Sequence, residues 1–299
     1  MPRGLALVIA VCAAIAATAP GAAQEAGTRI AIVASFSILR DLVARVGGDR
    51  VEVTALVGPG GDTHTWTPAP GDVRRVGAAR LLVVNGLGFE GSIDRLAAAS
   101  GTPVVVASRG VAPRPLTGHA GDAAPANPDP HAWQSVAGAA VYVTNIRDGL
   151  AAADPAGRAV YEANATACAA QLASLDADIR RTLAAIPEGR RKAITTHDAF
   201  GYFGADYGIA FVAAQGVSTE TQPSARDLAA IIRTIRSERI PALFFESAVD
   251  PRLIRRIAAE TGARIGGTLF ADTLAADGPA ATYPGMMRHN AETLVEALR

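Results

Sequence analysis

Short runs of apolar, β-branched residues recur along the chain, and each run is followed by a segment with helical periodicity. Strands that alternate with helices predict parallel sheets with right-handed crossover connections. The pattern therefore predicts an α/β fold with two similar lobes, each a four-stranded parallel sheet with flanking helices. The predicted strands are residues 29–34, 51–57, 81–84 and 104–107 in the first half, and 193–196, 209–213, 242–245 and 264–269 in the second.

A helix-rich stretch separates the two groups of strands. Residues 135–153 are predicted to form one helix, and Pro155 suits the first turn of the next, which continues to about Ile186. At about 1.5 Å per residue, a helix over 155–186 would be roughly 48 Å long, more than the diameter of either lobe. We therefore expect one long spine helix that joins the lobes; a helix broken in the middle is the alternative.

The first 23 residues have the pattern of a secretory signal peptide. Arg3 precedes an apolar run that is too short for a comfortable membrane span. The small residues Gly21 and Ala23 stand at positions −3 and −1 of a plausible cleavage site before Gln24. A lipid anchor on Cys12 is disfavoured because Val11 precedes it where a small residue is required. The expected organisation is thus a signal peptide over 1–23, an N-terminal lobe over 24–154, a linking helix over 155–186 and a C-terminal lobe over 187–299. An uncleaved membrane anchor is the alternative.

Charge and cysteine content narrow the classes of function. Basic and acidic residues balance at 28 each, so there is no basic field for nucleic acid. The hydrophobic fraction of 49% suits a globular protein and argues against disorder. After signal cleavage Cys168 is the single cysteine, so no internal disulfide is expected, and its place in a helical pattern predicts a small buried side chain.

Four side chains with metal-ligating chemistry lie just beyond the carboxyl ends of predicted strands. They are His64, His131, His197 and Asp272, two from each lobe; His131 is separated from its strand by the segment 117–130. Open α/β sheets place their ligand sites at these strand ends, so the cleft between the lobes is the expected meeting point. Three imidazoles and one carboxylate form a tetrahedral set suited to Zn²⁺. A single histidine is more often structural, so the prediction depends on the joint placement of all four.

Other polar residues are weaker candidates for the same site. Glu246 ends a predicted strand and is expected to be either a ligand or a residue of the pocket. Asp62 and Asp198 neighbour two of the histidines and are candidates to orient imidazole N–H groups. The Gly-, Ala- and Pro-rich segment 117–130 is expected to be a mobile surface loop, in which His119 and Asp122 would assist metal capture; solvation of His119 is the alternative. His289 is expected on the surface of the last helix.

The motifs around these residues resemble those of the cluster A-I solute-binding proteins, the metal-binding components of zinc and manganese ABC importers. GDTHTW around His64 is similar to the first ligand motif of that family, and NPDPHAW, TTHDAFGYF and LFADTL around His131, His197 and Asp272 are similar to the other three. The resemblance covers nearly the whole mature chain. Departures from the family pattern are Thr63 in place of a frequent Pro, Gln222 in place of a common Glu, and AWQS after the second histidine.

The resemblance implies a periplasmic protein that captures Zn²⁺ in the cleft and delivers it to the permease of an ABC importer. Histidine at position 197 favours zinc, because in this family a glutamate there is the manganese pattern. Mn²⁺ also prefers oxygen ligands, although manganese or iron capture is the alternative. The expected partners are the permease and a metal-delivering periplasmic protein, and the chain is expected to be a monomer.

Two functions of other classes remain open from sequence. A zinc-dependent hydrolase would use three histidines as ligands and Asp272 as general base, but no separate nucleophile or oxyanion motif such as G-x-S-x-G is present. Adhesion to a host surface is allowed by the family resemblance as a secondary role, and no feature of the sequence requires it. We therefore predict a transport protein and not an enzyme.

Overall fold

The computed structural model describes residue 1 and residues 29–116, 128–220 and 223–299. The signal-peptide prediction, apart from Met1, and the expectations for His119, Asp122 and Gln222 concern residues outside this part. Within the described part, no helix combines the length and apolar character that crossing a membrane requires.

Two four-stranded, all-parallel sheets form the framework, as predicted. The first has the strand order β2-β1-β3-β4 and the second β6-β5-β7-β8, so the two halves repeat one topology. The predicted strands are confirmed to within one or two residues at each end. The strands are β1 Ile30–Phe36, β2 Val51–Val57, β3 Leu81–Val84, β4 Val104–Val106, β5 Lys192–Thr195, β6 Ala210–Ala213, β7 Ala242–Glu246 and β8 Arg264–Leu269.

Nine α-helices in the described part connect and cover the strands. Crossover helices follow most strands, as parallel pairing requires. They are α1 Ser37–Gly47, α2 Pro70–Ala78, α3 Gly91–Ser100, α4 Val136–Ala153, α5 Arg158–Leu183, α6 Gly201–Tyr207, α7 Ala225–Glu238, α8 Arg252–Thr261 and α9 Tyr283–Leu298.

The spine helix α5 is continuous but shorter than predicted. Pro155–Gly157 form a 3-10 turn before it, and α5 ends at Leu183, so its 26 residues span about 39 Å at about 1.5 Å each. It packs against α1, from the first half of the chain, and against α9, the last helix of the chain. The buried stripe that makes these contacts recurs every three or four residues and comprises Tyr161, Ala165, Cys168, Leu172, Leu175, Ile179 and Leu183.

The larger hydrophobic core extends through both lobes. It runs from β1 through α1, α4 and α5 to α9, and it includes Ala193 and Phe244 of the second sheet. A smaller core covers the other face of that sheet, where α7 and α8 pack. One core therefore joins the two lobes through α5 and α9. The division of the chain at residues 154 and 186 stays a prediction.

Candidate metal centre

The four predicted ligand residues meet at one point between the lobes. His64 lies in the loop after β2, His131 and His197 are fully buried, and Asp272 follows β8 with 7% of its surface exposed. One nitrogen or oxygen atom of each residue lies within 4.8 Å of the corresponding atoms of the other three. The topology brings them together because both lobes present the carboxyl ends of their strands to the cleft.

The carboxylate of Asp272 lies at the centre of this group. Its Oδ2 is 3.0 Å from Nε2 of His197 and 3.2 Å from Nε2 of His64, and its Oδ1 is 3.6 Å from Nε2 of His131. Despite these distances, the three Nε2 atoms and Oδ1 are buried and form no hydrogen bond of acceptable geometry with the described residues. A buried polar atom without a partner costs about 1–3 kcal/mol. A divalent cation would satisfy all four atoms at once.

Asp129 fixes the orientation of His131. One of its oxygens, Oδ1, accepts hydrogen bonds from the main-chain N–H of His131 at 2.9 Å and from Nδ1 at 2.8 Å. With the proton on Nδ1, the lone pair of Nε2 points into the cluster. Sequence reasoning missed Asp129, although it stands two positions before His131 as Asp62 stands before His64, and that repeated spacing was the available signal.

Glu246 has the same role for His197. Its Oε1 accepts main-chain hydrogen bonds from Thr196 at 2.6 Å and from His197 at 2.9 Å, and its Oε2 contacts Nδ1 of His197. Glu246 therefore contacts the imidazole nitrogen on the far side from the cluster, and its oxygens are not among the four converging atoms. Of its two expected roles, the contacts match that of a pocket residue.

Asp62 contacts the main chain of His64, whereas it was expected to orient an imidazole N–H group. Oδ1 of Asp62 accepts from the main-chain N–H of His64 at 2.9 Å, and its Oδ2 accepts from the Thr219 hydroxyl at 2.6 Å. Asp62 thus acts on His64 through the main chain, and it joins the N-terminal lobe to the loop after β6. Asp198 lines a separate cavity of about 710 Å³. The Nδ1 of the neighbouring His197 is contacted by Glu246 of β7, and the expected role of Asp198 stays a prediction.

Aromatic rings enclose the cluster on the N-terminal side. The ring of Phe89 packs edge-on against three other rings. The distances between ring centroids are 5.0 Å to His64, 5.7 Å to His131 and 4.7 Å to Trp133. Such an apolar wall limits access of water to the ligand atoms. His289, by contrast, lies half-buried on α9, where its ring contacts the carbonyl of Thr268 at 3.0 Å and the ring of Phe270.

The buried carboxylate of Glu90 binds the main chain of the loop between β3 and α3, which carries Phe89. Sequence reasoning did not find this residue. It accepts hydrogen bonds from Ser35 at 2.8 Å and from Gly86 N–H at 2.9 Å, and it also contacts the N–H of Asn85. Burial raises the pKa of its carboxyl to about 7. No local sequence signal reveals such a residue, because its burial depends on contacts between distant segments.

The charges of the cluster are strongly coupled. Burial alone would lower the pKa of His197, but the carboxylates of Glu246 and Asp272 outweigh it and raise that pKa well above the ordinary value. Burial likewise opposes ionisation of Asp272, yet His197 and His131 hold its pKa well below the usual range. The two shifts have one cause, since the buried carboxylates stabilise the charged form of the His197 imidazole and that charge stabilises the ionised Asp272.

Comparison with known proteins places this fold and site in a class. The family model described as "Zinc-uptake complex component A periplasmic" (ZnuA) matches residues 32–297. The chain is 33% identical to the manganese-binding lipoprotein MntA of Halalkalibacterium halodurans, over 98% of this chain and 96% of that one. It is 30% identical to the iron-binding protein YfeA of Yersinia pestis, over 94% and 90%. The structure of the periplasmic zinc-binding protein TroA from Treponema pallidum superposes with a TM-score of 0.83 at 31% identity, covering 90% of this chain and 99% of that chain.

Two parallel-sheet lobes with a buried polar cluster between them define a solute-binding protein of the metal-binding class. The chain belongs to the ZnuA family, the cluster A-I substrate-binding components of metal ABC importers. Members of this family are transport components and not enzymes, so the hydrolase alternative is excluded.

Proposed function

We propose that this protein captures Zn²⁺ between its lobes and delivers it to the permease of an ABC importer, with His64, His131, His197 and Asp272 as the ligands. The observation that carries the proposal is the convergence of four buried donor atoms, one from each residue. Three imidazole nitrogens and one carboxylate oxygen match the ligand set and the tetrahedral geometry that Zn²⁺ prefers.

The choice of zinc over manganese or iron rests on the other carboxylates near the site. Relatives are named for iron, manganese and zinc, so kinship alone leaves the metal open. Mn²⁺ prefers more oxygen ligands and higher coordination. Here Asp129 and Glu246 contact Nδ1 atoms and main-chain N–H groups, so their oxygens are engaged outside the cluster. The centre is left with three nitrogens and the carboxylate of Asp272.

The proposal includes a periplasmic protein released by signal cleavage before Gln24, acting as a monomer. Membership of an importer family supports a permease partner. Some relatives are lipoproteins, so retention at the membrane is the competing mode of localisation. Capture assisted by segment 117–130 and delivery by another periplasmic protein stay predictions.

A competition titration tests the metal assignment. The metal-free protein is offered equimolar Zn²⁺, Mn²⁺ and Fe²⁺ without oxygen, and the bound metal is measured by elemental analysis. We expect more of the protein to hold zinc than any other metal. We also expect the gene to restore growth, in medium depleted of zinc by a chelator, to a host that lacks its own zinc importer. Preferential manganese or iron occupancy would assign the protein to those metals, and no binding of any of them would overturn the proposed site.

A further inference from the structure

Gln134 is a polar residue in a fully buried place next to the metal centre. It ends the 3-10 turn Ala132–Gln134, which lies between His131 and α4, and none of its surface is exposed. Its Nε2 donates a hydrogen bond of 2.7 Å to the carbonyl of Ala271 and a weaker one of 3.3 Å to that of Phe270. The side chain therefore bonds the two residues that directly precede Asp272.

Trp133 contacts the same carbonyl. Its Nε1 donates to Ala271 O at 2.8 Å, so two consecutive side chains of the N-terminal half converge on one acceptor of the C-terminal half. The segment is bonded at Phe270 as well, where Asn290 accepts from the main-chain N–H at 2.9 Å and donates to the carbonyl at 2.8 Å. The main chain leading into Asp272 is thus held by donors from both halves of the protein.

The side-chain oxygen of Gln134 is in an unfavourable environment. Its Oε1 is buried and accepts no hydrogen bond from the described residues. An unsatisfied buried acceptor is unfavourable, and a leucine of similar volume would fill the space without it. General packing therefore does not explain an amide at this position, whereas donation to the segment before Asp272 does.

We propose that Gln134, with Trp133, is a positioning residue that fixes the Asp272 carboxylate for Zn²⁺ and thereby disfavours Mn²⁺; this rests on the proposed ligand set. A carboxylate held in one position presents its oxygen to the metal in one coordination geometry. Zn²⁺ is served by a compact tetrahedral set, whereas Mn²⁺ needs more oxygen ligands and room for them. Loss of the amide donor lets the residues before Asp272 shift, which weakens the zinc geometry and relaxes the exclusion of manganese.

The test compares Gln134→Leu with a matched control, Asn145→Leu. Asn145 also uses a side-chain amide to bond two main-chain carbonyls, those of Ala107 and Arg109, but it lies on α4 and bonds no residue of the Asp272 segment. We expect Gln134→Leu to lower Zn²⁺ affinity by about tenfold and Mn²⁺ affinity by less, in the range known for partners of metal ligands. Asn145→Leu should leave the ratio of the two affinities unchanged.

Co²⁺ absorption spectra give a readout that general destabilisation does not change. The wild type and Asn145→Leu loaded with Co²⁺ should show the strong visible bands of a tetrahedral ion, and Gln134→Leu weaker bands of higher coordination. An unchanged spectrum and affinity ratio in Gln134→Leu would overturn this inference while the ligand set stands. If the wild type itself binds neither Co²⁺ nor Zn²⁺, the proposed function fails instead. If Gln134→Leu does not fold, Gln134→Met, which keeps the length of the side chain but has no donor, replaces it and should show the same weaker bands and the same change in the affinity ratio.

Discussion

Glu246 accepts a hydrogen bond from the main-chain N–H of His197 at 2.9 Å with one oxygen and contacts Nδ1 of the same residue with the other. The single carboxylate therefore fixes both the backbone and the ring of this histidine. Because its negative charge lies on the far side of the imidazole, it increases the basicity of the Nε2 atom that faces the cluster.

Neutralising this carboxylate should weaken metal binding. Glu246→Gln keeps the shape of the side chain but removes its charge, and we expect Zn²⁺ affinity to fall by about 10–100-fold. Competition with a chelator of known affinity measures the change. Glu238→Gln is the control, because Glu238 is an exposed partner of Lys192 remote from the site. Equal affinities of Glu246→Gln and wild type would show that the carboxylate does not act on the metal ligand.

Acid should release the metal, since imidazoles coordinate only when neutral. The carboxylates around His197 raise its pKa well above the ordinary value, so we expect the metal-free protein to carry a proton there at neutral pH. Zinc binding should displace that proton, and affinity should fall steadily from pH 7 to pH 5. Calorimetry in buffers of different ionisation enthalpy counts the protons released. A flat affinity over this range, or no proton release, would rule out a histidine-dominated site.

The same charges should make the stability of the metal-free protein depend on pH. The raised pKa of His197 adds to the free energy of unfolding. This stabilisation is complete below about pH 6.5, the pKa in the unfolded chain, and is lost as pH rises through the pKa in the folded protein. The lowered pKa of Asp272 also stabilises the folded protein. This stabilisation is present above about pH 3.9, the pKa in the unfolded chain, and is lost as pH falls through the pKa in the folded protein. Both contributions are complete between about pH 4 and 6.5.

The measurement is thermal unfolding of the chelator-treated wild type and His197→Gln from pH 6 to pH 9. The difference in Tm between them should shrink as pH rises, because the wild type loses the contribution of the charged imidazole. A difference that stays constant or grows would mean that folding does not raise the pKa of His197 in the metal-free protein.

The hydrogen bond between Thr219 and Asp62 should slow metal release. It joins the loop after β6 to the segment of His64 at 2.6 Å, and the acceptor is a carboxylate. Thr219→Val removes the donor at similar volume, and a bond to a charged group contributes about 1.5–3 kcal/mol. We expect release to a chelator to be at least about tenfold faster in stopped-flow measurements. Thr166→Val is the control, because that hydroxyl donates to the Glu162 carbonyl of its own helix; equal rates in both variants would contradict the assignment.

The sequence predicts the sheets and the meeting of the four histidine and aspartate residues because both follow from local patterns. Apolar runs define parallel strands, and parallel strands place their carboxyl ends together. The partners of the histidines are harder to predict. Asp129 and Glu246 become recognisable only when the ring orientations are known, and Gln134 acts through a contact with residues more than 130 positions away. The 3-10 turn at Pro155–Gly157 shows that element boundaries also depend on packing.

A crystal structure of the zinc-loaded protein, with anomalous data at the zinc absorption edge, tests the central claim most directly. The account predicts one zinc ion between the lobes, about 2.0–2.1 Å from a nitrogen of His64, His131 and His197 and about 2.0–2.2 Å from an oxygen of Asp272. Zinc bound elsewhere, or any of the three histidines more than about 4 Å from the ion, well beyond a Zn–N bond, would contradict it.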